Sequence, residues 1–222
     1  MINQKYIITI DGPAASGKGS LAKIVSSDLN LYYMETGIYY RIFAKTILDE
    51  GFKEEQILKI DKYLNKDHFK FNIRNKENIY NDEVSKLASI LAKKKIVRNI
   101  ITNRQQMILE NYPSKFEGIL LEGRDCGTVI APNANVKIFL TADINVRANR
   151  RFKQVNYKNN VTYDNILIDL VERDKRDESR KISPLKKAED AILLDNTHNS
   201  LEETINIVKN IIFSKLPNLK IN

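Results

Sequence analysis

IDGPAASGKGS, residues Ile10–Ser20, decides how the rest of the chain is read. Gly12 and Gly17 frame Pro13, Ala14, Ala15 and Ser16, and Lys18, Gly19 and Ser20 follow. Glycines at both ends let the backbone curl so that successive N–H groups point inward. The run KYIITI, Lys5–Ile10, reads as a short buried strand before the loop, and Lys18–Asp28 reads as a helix after it. Strand, glycine-rich loop and helix in that order make G-x-x-x-x-G-K a phosphate-cradling loop rather than a turn with a surface lysine. The helix adds its unsatisfied N–H groups and positive end, and Lys18 reaches terminal phosphates as a mobile point charge. Gly12, Pro13, Ala14, Ala15, Ser16, Gly17, Lys18, Gly19 and Ser20 are therefore the candidate nucleotide-binding residues.

The usual pattern puts a hydroxyl directly after the lysine. Here Gly19 intervenes, and one helical residue turns a side chain by about 100°. Ser20 is the candidate magnesium ligand, from a shifted angle or through water. Gly19 leaves room beside a transferring phosphoryl group. That departure leans away from switch-type GTPases and towards small-molecule kinases.

Beyond the loop, Leu31–Met34, Ile119–Leu121, Val136–Leu140 and Ala191–Leu194 read as further strands. Each is short and nearly continuously apolar, as suits strands covered on both faces of a parallel sheet. Helical patterns fall over Ile38–Asp49, Ile144–Gln154, Ile166–Asp174 and Leu201–Phe213. In the last, Leu201, Ile205, Val208 and Ile212 share a face, and Ser200 with Glu203 forms a capping pair. Alternation of strand and helix predicts an α/β domain spanning 1–222 around a five-stranded parallel sheet. Residues 51–117 interrupt the rhythm with an Asn- and Lys-rich middle, and helical patterns resume at Glu83–Leu91 and Ile96–Glu110. The expectation is an inserted, mainly helical subdomain over about 60–115, with an arginine-rich lid over 147–181.

At 222 residues and 42% hydrophobic, the chain can bury a sizeable core. No run approaches the roughly 18 apolar residues of a membrane span. The N-terminus has no basic region followed by an apolar stretch and cleavage site, and Cys126 is the lone cysteine, so the expected location is the cytoplasm. Thirty-six Lys and Arg against 28 Asp and Glu give +8, which suits a polyanionic partner, nucleic acid or nucleotide. Lysines on a solvated face account for part of that excess. The arginines are instead concentrated in particular places.

ETGIYYR, Glu35–Arg41, puts Thr36 and Gly37 just after the second strand, where open α/β sheets bind ligands. Arg41, in the first turns of the next helix, can hold a phosphate through its planar fork. EGRDCGTV, Glu122–Val129, puts Arg124 and Asp125 at the same end of the sheet. Arg124 fits phosphate binding; Asp125 can accept from an amino group, orient Arg124 or act near magnesium. Cys126 reads as a packed small residue. Arg147, Arg150 and Arg151 recur at i, i+3 and i+4 on one helix face, and Arg173, Asp177 and Arg180 at i, i+4 and i+7 on another. Two such helices joined by VNYKNNVTY can form a hinged lid that excludes water and carries cations to a transferring phosphoryl group. Salt-bridged solvent faces are the plainer reading of the same arginines.

Taken together, IDGPAASGKGS, ETGIYYR, EGRDCGTV, VKIFLTA and ERDKRDESRKISPLKKAEDAILLDNT resemble the motifs of the bacterial cytidylate kinases, in that family's order and over most of the chain. The resemblance implies a three-layer fold and ATP-dependent phosphorylation of CMP and dCMP with Mg2+. From the loop and the arginine faces, Lys18, Arg124, Arg150 and Arg151 are the candidate residues for the transfer step. Thr36 would neighbour the acceptor, and Arg41 and Arg124 would bind its phosphate. Ser89, Arg98 and Asp125 would read the cytosine ring. Arg173, Asp177 and Arg180 would hold the ribose and phosphate region. It further implies a monomer with no nucleic-acid or membrane partner. Glu35 and Ile38 stand where Asp and Ala are commoner, Ala131 where Phe is usual, and Tyr80 replaces an arginine after a hairpin that is shortened here. Two alternatives stay open: a P-loop kinase acting on UMP or another small metabolite, with Glu35 or Asp125 as base, and a nucleotide-dependent nucleic-acid-binding protein.

Overall fold

β-Branched and aliphatic residues cluster in five runs, and all five become strands of one parallel sheet. A computed structural model describes residues 6–52, 56, 79–155 and 162–219. In chain order the elements are β1 (Tyr6–Asp11), α1 (Lys18–Asp28), β2 (Leu31–Glu35), α2 (Gly37–Asp49), α3 (Asp82–Leu91), α4 (Lys95–Asn111), β3 (Gly118–Gly123), a π-helical turn (Cys126–Ile130), β4 (Val136–Thr141), α5 (Ile144–Val155), α6 (Tyr163–Glu178), β5 (Ile192–Asp195) and α7 (Leu201–Lys215). The shortened hairpin falls outside the described residues, as do the lid loop at 156–161 and much of the expected 60–115 insert. The backbone divides into two compact units: Met1–Glu35 with Asn111–Asn222, and Thr36–Glu110.

In the first unit the strand order is β2-β3-β1-β4-β5. β1 is central, pairing Ile8 with Leu120 on one side and with Val136 on the other. Central strands are buried on both faces, whereas edge strand β5 alternates and leaves Leu193 59% exposed. Ile8, Ile10, Leu120, Ile138 and Leu140 pack against Leu21, Ala22 and Val25 of α1 and Val208 and Ile212 of α7. Ser200 and Glu203 close the expected capping box on α7. Leu201 does not join the buried face expected of it. It sits in the first turn, 46% exposed, beyond the reach of the sheet.

The arginine-rich segment also differs from expectation. It has the composition of a flap, yet Ala148 of α5 and Ile166 and Leu170 of α6 form a buried apolar cluster with Ala14, and Phe152 meets Tyr163 edge-on. The apolar residues interleaved among the charges supply the packing face that composition conceals.

In the second unit, Tyr39, Ile42, Phe43 and Ile47 of α2, Val84, Leu87, Ala88 and Leu91 of α3, and Val97 and Ile101 of α4 are buried, and α2 packs against α3. Asn81 caps α3, its side chain accepting from Val84 N–H at 2.8 Å.

Candidate active site

Gly12 carries the chain out of β1 at φ +153°, and a Cβ there would stand 2.0 Å from the Leu140 carbonyl oxygen. Only glycine lets the loop pass β4 so closely. Ala15 lies in left-handed space at φ +56°. Gly17, also left-handed, leads into α1, which has no side-chain cap and no acid in its first turn. This contrasts with α7, whose N–H groups are taken by its own box. The α1 terminus keeps its positive end for an anion. Ser16 is buried, with no hydrogen-bond partner for its Oγ among the described residues. Its carbonyl accepts from Asn196 Nδ2 at 3.0 Å. Ser20 is exposed. A Cβ at Gly19 would lie 4.0 Å from Glu122 Oε1, at ordinary van der Waals distance.

Lys18 folds back, donating from Nζ to the Pro13 carbonyl at 2.7 Å. Burial, helped by the charges of Arg124 and Arg173 and opposed by Glu122, lowers its pKa to about 7. Arg124 Nε donates to Asp177 Oδ2 at 3.0 Å, and Arg180 Nη2 stands 3.7 Å from Asp177 Oδ1. Asp177 is thus the acid that orients Arg124 in this arrangement, a role the sequence had offered to Asp125. Burial raises the Asp177 pKa, but Arg124, Arg180 and Arg173 outweigh it and hold the carboxyl below its usual range. Arg124, desolvated but facing Asp177 and Glu122, is held more firmly protonated than usual. Helix α6 ends at Glu178, so Arg180 reaches Asp177 from the segment after the helix rather than from its third turn.

The first face of arginines divides. Arg147 is buried, with Nε donating to the Ala142 carbonyl at 2.9 Å and Nη1 to the Ala14 carbonyl at 3.1 Å. It does not gather with its neighbours on a solvent-facing lid surface. Arg150 donates twice to Asn196, to Oδ1 at 3.0 Å and to the carbonyl at 2.8 Å. Burial lowers its pKa. Arg151 is half-buried, as is Arg173.

Asp125 is buried at the start of the π-helical turn. That turn is held by a residue the sequence reading passed over. Asp11, last residue of β1, accepts from Cys126 N–H at 2.9 Å and Gly127 N–H at 2.7 Å. Burial raises its pKa to about 6 against those two donors. A Cβ at Gly127 would stand 2.9 Å from Thr9 Oγ1, so a side chain there would have to displace Thr9. An acid closing a central strand directly before the phosphate loop was the available signal. Asn196 and Asp174 offered none, because their partners lie 160 to 180 residues away in sequence.

Within the second unit, the buried Thr36 passes its carbonyl to Gln105 Nε2 at 2.9 Å. Arg41 Nη1 donates to Ser85 Oγ at 2.6 Å and to the Ile79 carbonyl at 3.2 Å. Tyr80 lies over that guanidinium at 5.1 Å, a cation–π partner where the resembled family carries an arginine. Ser89, one turn along α3 from Ser85, is buried with its Oγ unpartnered among the described residues. Arg98 donates to the Ala92 carbonyl at 2.7 Å and stacks over Tyr40 at 5.5 Å, only 2% exposed.

Among the described residues, no helix is long and apolar enough to cross a membrane. At the level of fold, a shikimate kinase from Bacteroides thetaiotaomicron superposes with a TM-score of 0.50 at 9% identity, covering 93% of this chain and 98% of that one. An uncharacterised protein from Eubacterium ventriosum gives 0.53 at 14% identity, covering 95% and 99%. Sequence relatives are nearer. Cytidylate kinase from Thermosipho africanus is 39% identical over 215 residues, covering 94% of this chain and 95% of the relative. That from Fusobacterium nucleatum is 40% identical over 217, covering 91% and 94%. The cytidylate kinase family model matches residues 8–214, and with it the loop, the Arg124–Asp177 pair and the five-stranded parallel sheet: the chain belongs to the cytidylate kinase family.

Proposed function

We propose that this chain transfers the γ-phosphoryl group of ATP to CMP or dCMP, giving ADP and CDP or dCDP. One observation carries most weight. Lys18 lies buried in the loop with its Nζ on the Pro13 carbonyl, and burial first, then the charges of Arg124 and Arg173, depress its pKa, a cost that bound phosphates relieve. The cytidylate kinase relatives support the choice of acceptor.

The phosphate loop, residues 12–20, grips the donor triphosphate through its N–H groups, and Lys18 swings from Pro13 to the terminal phosphates. Arg41 and Arg124 hold the acceptor phosphate, with Thr36 beside it. Its oxygen is already anionic and attacks without a general base, displacing ADP as the bond to the γ-phosphorus breaks. Arg150 and Arg151 neutralise charge on the transferring group. Asp177, kept ionised by its arginines, accepts from a ribose hydroxyl, with Arg173 and Arg180 beside it. Ser89, Arg98 and Asp125 read the ring. Asp125 accepts from the amino group of cytosine, where uracil presents a carbonyl.

The donor set fits Mg2+. Hard oxygen donors suit Mg2+, an ion held mainly by phosphate oxygens and water. Ser20 would hold it directly or through water, beside Glu122, whose Oε1 lies 4.0 Å from where a Gly19 Cβ would stand. The ion supplies charge neutralisation at the phosphates. We read the enzyme as a monomer of the cytoplasm, which suits a lone, buried, reduced cysteine.

The test is steady-state transfer from ATP with Mg2+, comparing CMP, dCMP, UMP and AMP at equal concentration. CMP and dCMP are expected to be strongly preferred. Comparable rates with UMP would move Asp125 off the ring edge. No transfer to any acceptor, with ATP still bound, overturns the reading.

A further inference from the structure

Ala14, in the middle of the phosphate loop, has both of its backbone polar groups engaged by side chains from α5 and α6. Its N–H donates to Asp174 Oδ1 at 3.2 Å, and its carbonyl accepts from Arg147 Nη1 at 3.1 Å. The same Nη1 is ion-paired with Asp174 Oδ2, and Arg147 Nε is anchored on the Ala142 carbonyl at the end of β4. All three residues are buried. The Ala14 side chain packs on Ala148, Ile166 and Leu170 of the same two helices.

The next residue shows what this arrangement does. Ala15 holds φ +56°, a conformation that an L residue with a Cβ adopts only when its surroundings impose it. We propose that Asp174 and Arg147 are positioning residues that clamp Ala14, force Ala15 into left-handed space and so fix the curl that aims the loop's N–H groups at the donor triphosphate. The helices that make the clamp also carry Arg150, Arg151, Arg173 and Asp177. Loop shape is therefore set by one buried ion pair. This rests on the reading of the loop as the ATP site.

Asp174→Asn keeps an oxygen for the Ala14 N–H but removes the charge that holds Arg147. Arg147→Lys keeps the charge but loses the fork that serves Ala14, Ala142 and Asp174 at once. In full-length protein each is expected to weaken ATP by roughly tenfold, the scale of one charged hydrogen bond, and to change the KM for CMP less than about twofold. ADP titrated calorimetrically without acceptor reads the donor site without turnover, so the clamp is tested even if CMP proves not to be the acceptor. Adding Ala15→Gly to Asp174→Asn is expected to restore part of the lost affinity, because glycine adopts the left-handed conformation unforced. If Asp174→Asn does not fold, Arg147→Lys carries the comparison, alone and with Ala15→Gly. A lowered Tm with unchanged ATP and ADP affinity, or equal rises in both KM values without rescue by glycine, would overturn the proposal.

Discussion

Lys18 lies buried among like charges that a bound polyphosphate would offset. Burial and two neighbouring arginines bring its pKa to about 7, so at pH 8 most molecules carry it uncharged. A polyphosphate placed against it reverses the sign of its surroundings and restores the proton. ATP binding at pH 8 is therefore expected to take up close to one proton, and binding at pH 6 almost none. Calorimetric titration in buffers of different ionisation enthalpy measures this directly, and no buffer dependence at pH 8 would refute it. The lysine itself was legible from its spacing to Gly12. Its repulsion from Arg124 and Arg173 was not, because those residues lie over 100 positions downstream and meet it only through the sheet.

Among the elements, the π-helical turn after β3 is the most consequential, since it begins beside Arg124 and Asp125. Two donors from this turn end on the Asp11 carboxylate, and a side chain at Gly127 would press on Thr9 between turn and sheet. With its pKa raised from 3.8 to about 6, Asp11 holds more protons folded than unfolded across that interval. Its contribution to stability is thus greatest below pH 4, declines as pH rises towards 6 and levels above, by an amount on the order of 3 kcal/mol. Asp11→Asn removes this slope and turns an amide N–H2 towards one backbone donor, costing about 1–3 kcal/mol. Urea unfolding at pH 4.5 and 7 measures both, and an unchanged slope would show that Asp11 does not titrate there. At this scale the sequence was most readable. Strand runs and the α7 capping box follow local rules of spacing and hydrogen bonding, and Lys18–Asp28 matched α1 end to end. The π turn follows no local rule in CGTVI. It exists because Asp11, 115 residues upstream, collects its N–H groups.

Across the whole molecule, the alternation of strand and helix was enough to expect a parallel sheet, but not the order of its strands. Most of the buried arginines sit in ion pairs or on carbonyls, so the positive excess of the chain is partly internal machinery rather than surface. The strand order also governs how the chain is made. β1 and β2 are neighbours in sequence and strangers in the sheet; each pairs with β3, which arrives only at Gly118. During synthesis the phosphate loop therefore leaves the ribosome long before either strand beside it has a partner. A nascent chain ending at Glu117 is expected to lack protected strand amides and nucleotide affinity, by hydrogen exchange and titration of ribosome-released fragments. Both should appear once β3 and β4 have followed. Closing so large a loop is slow, so β1 and β2 stay without their sheet partner while translation proceeds to β3.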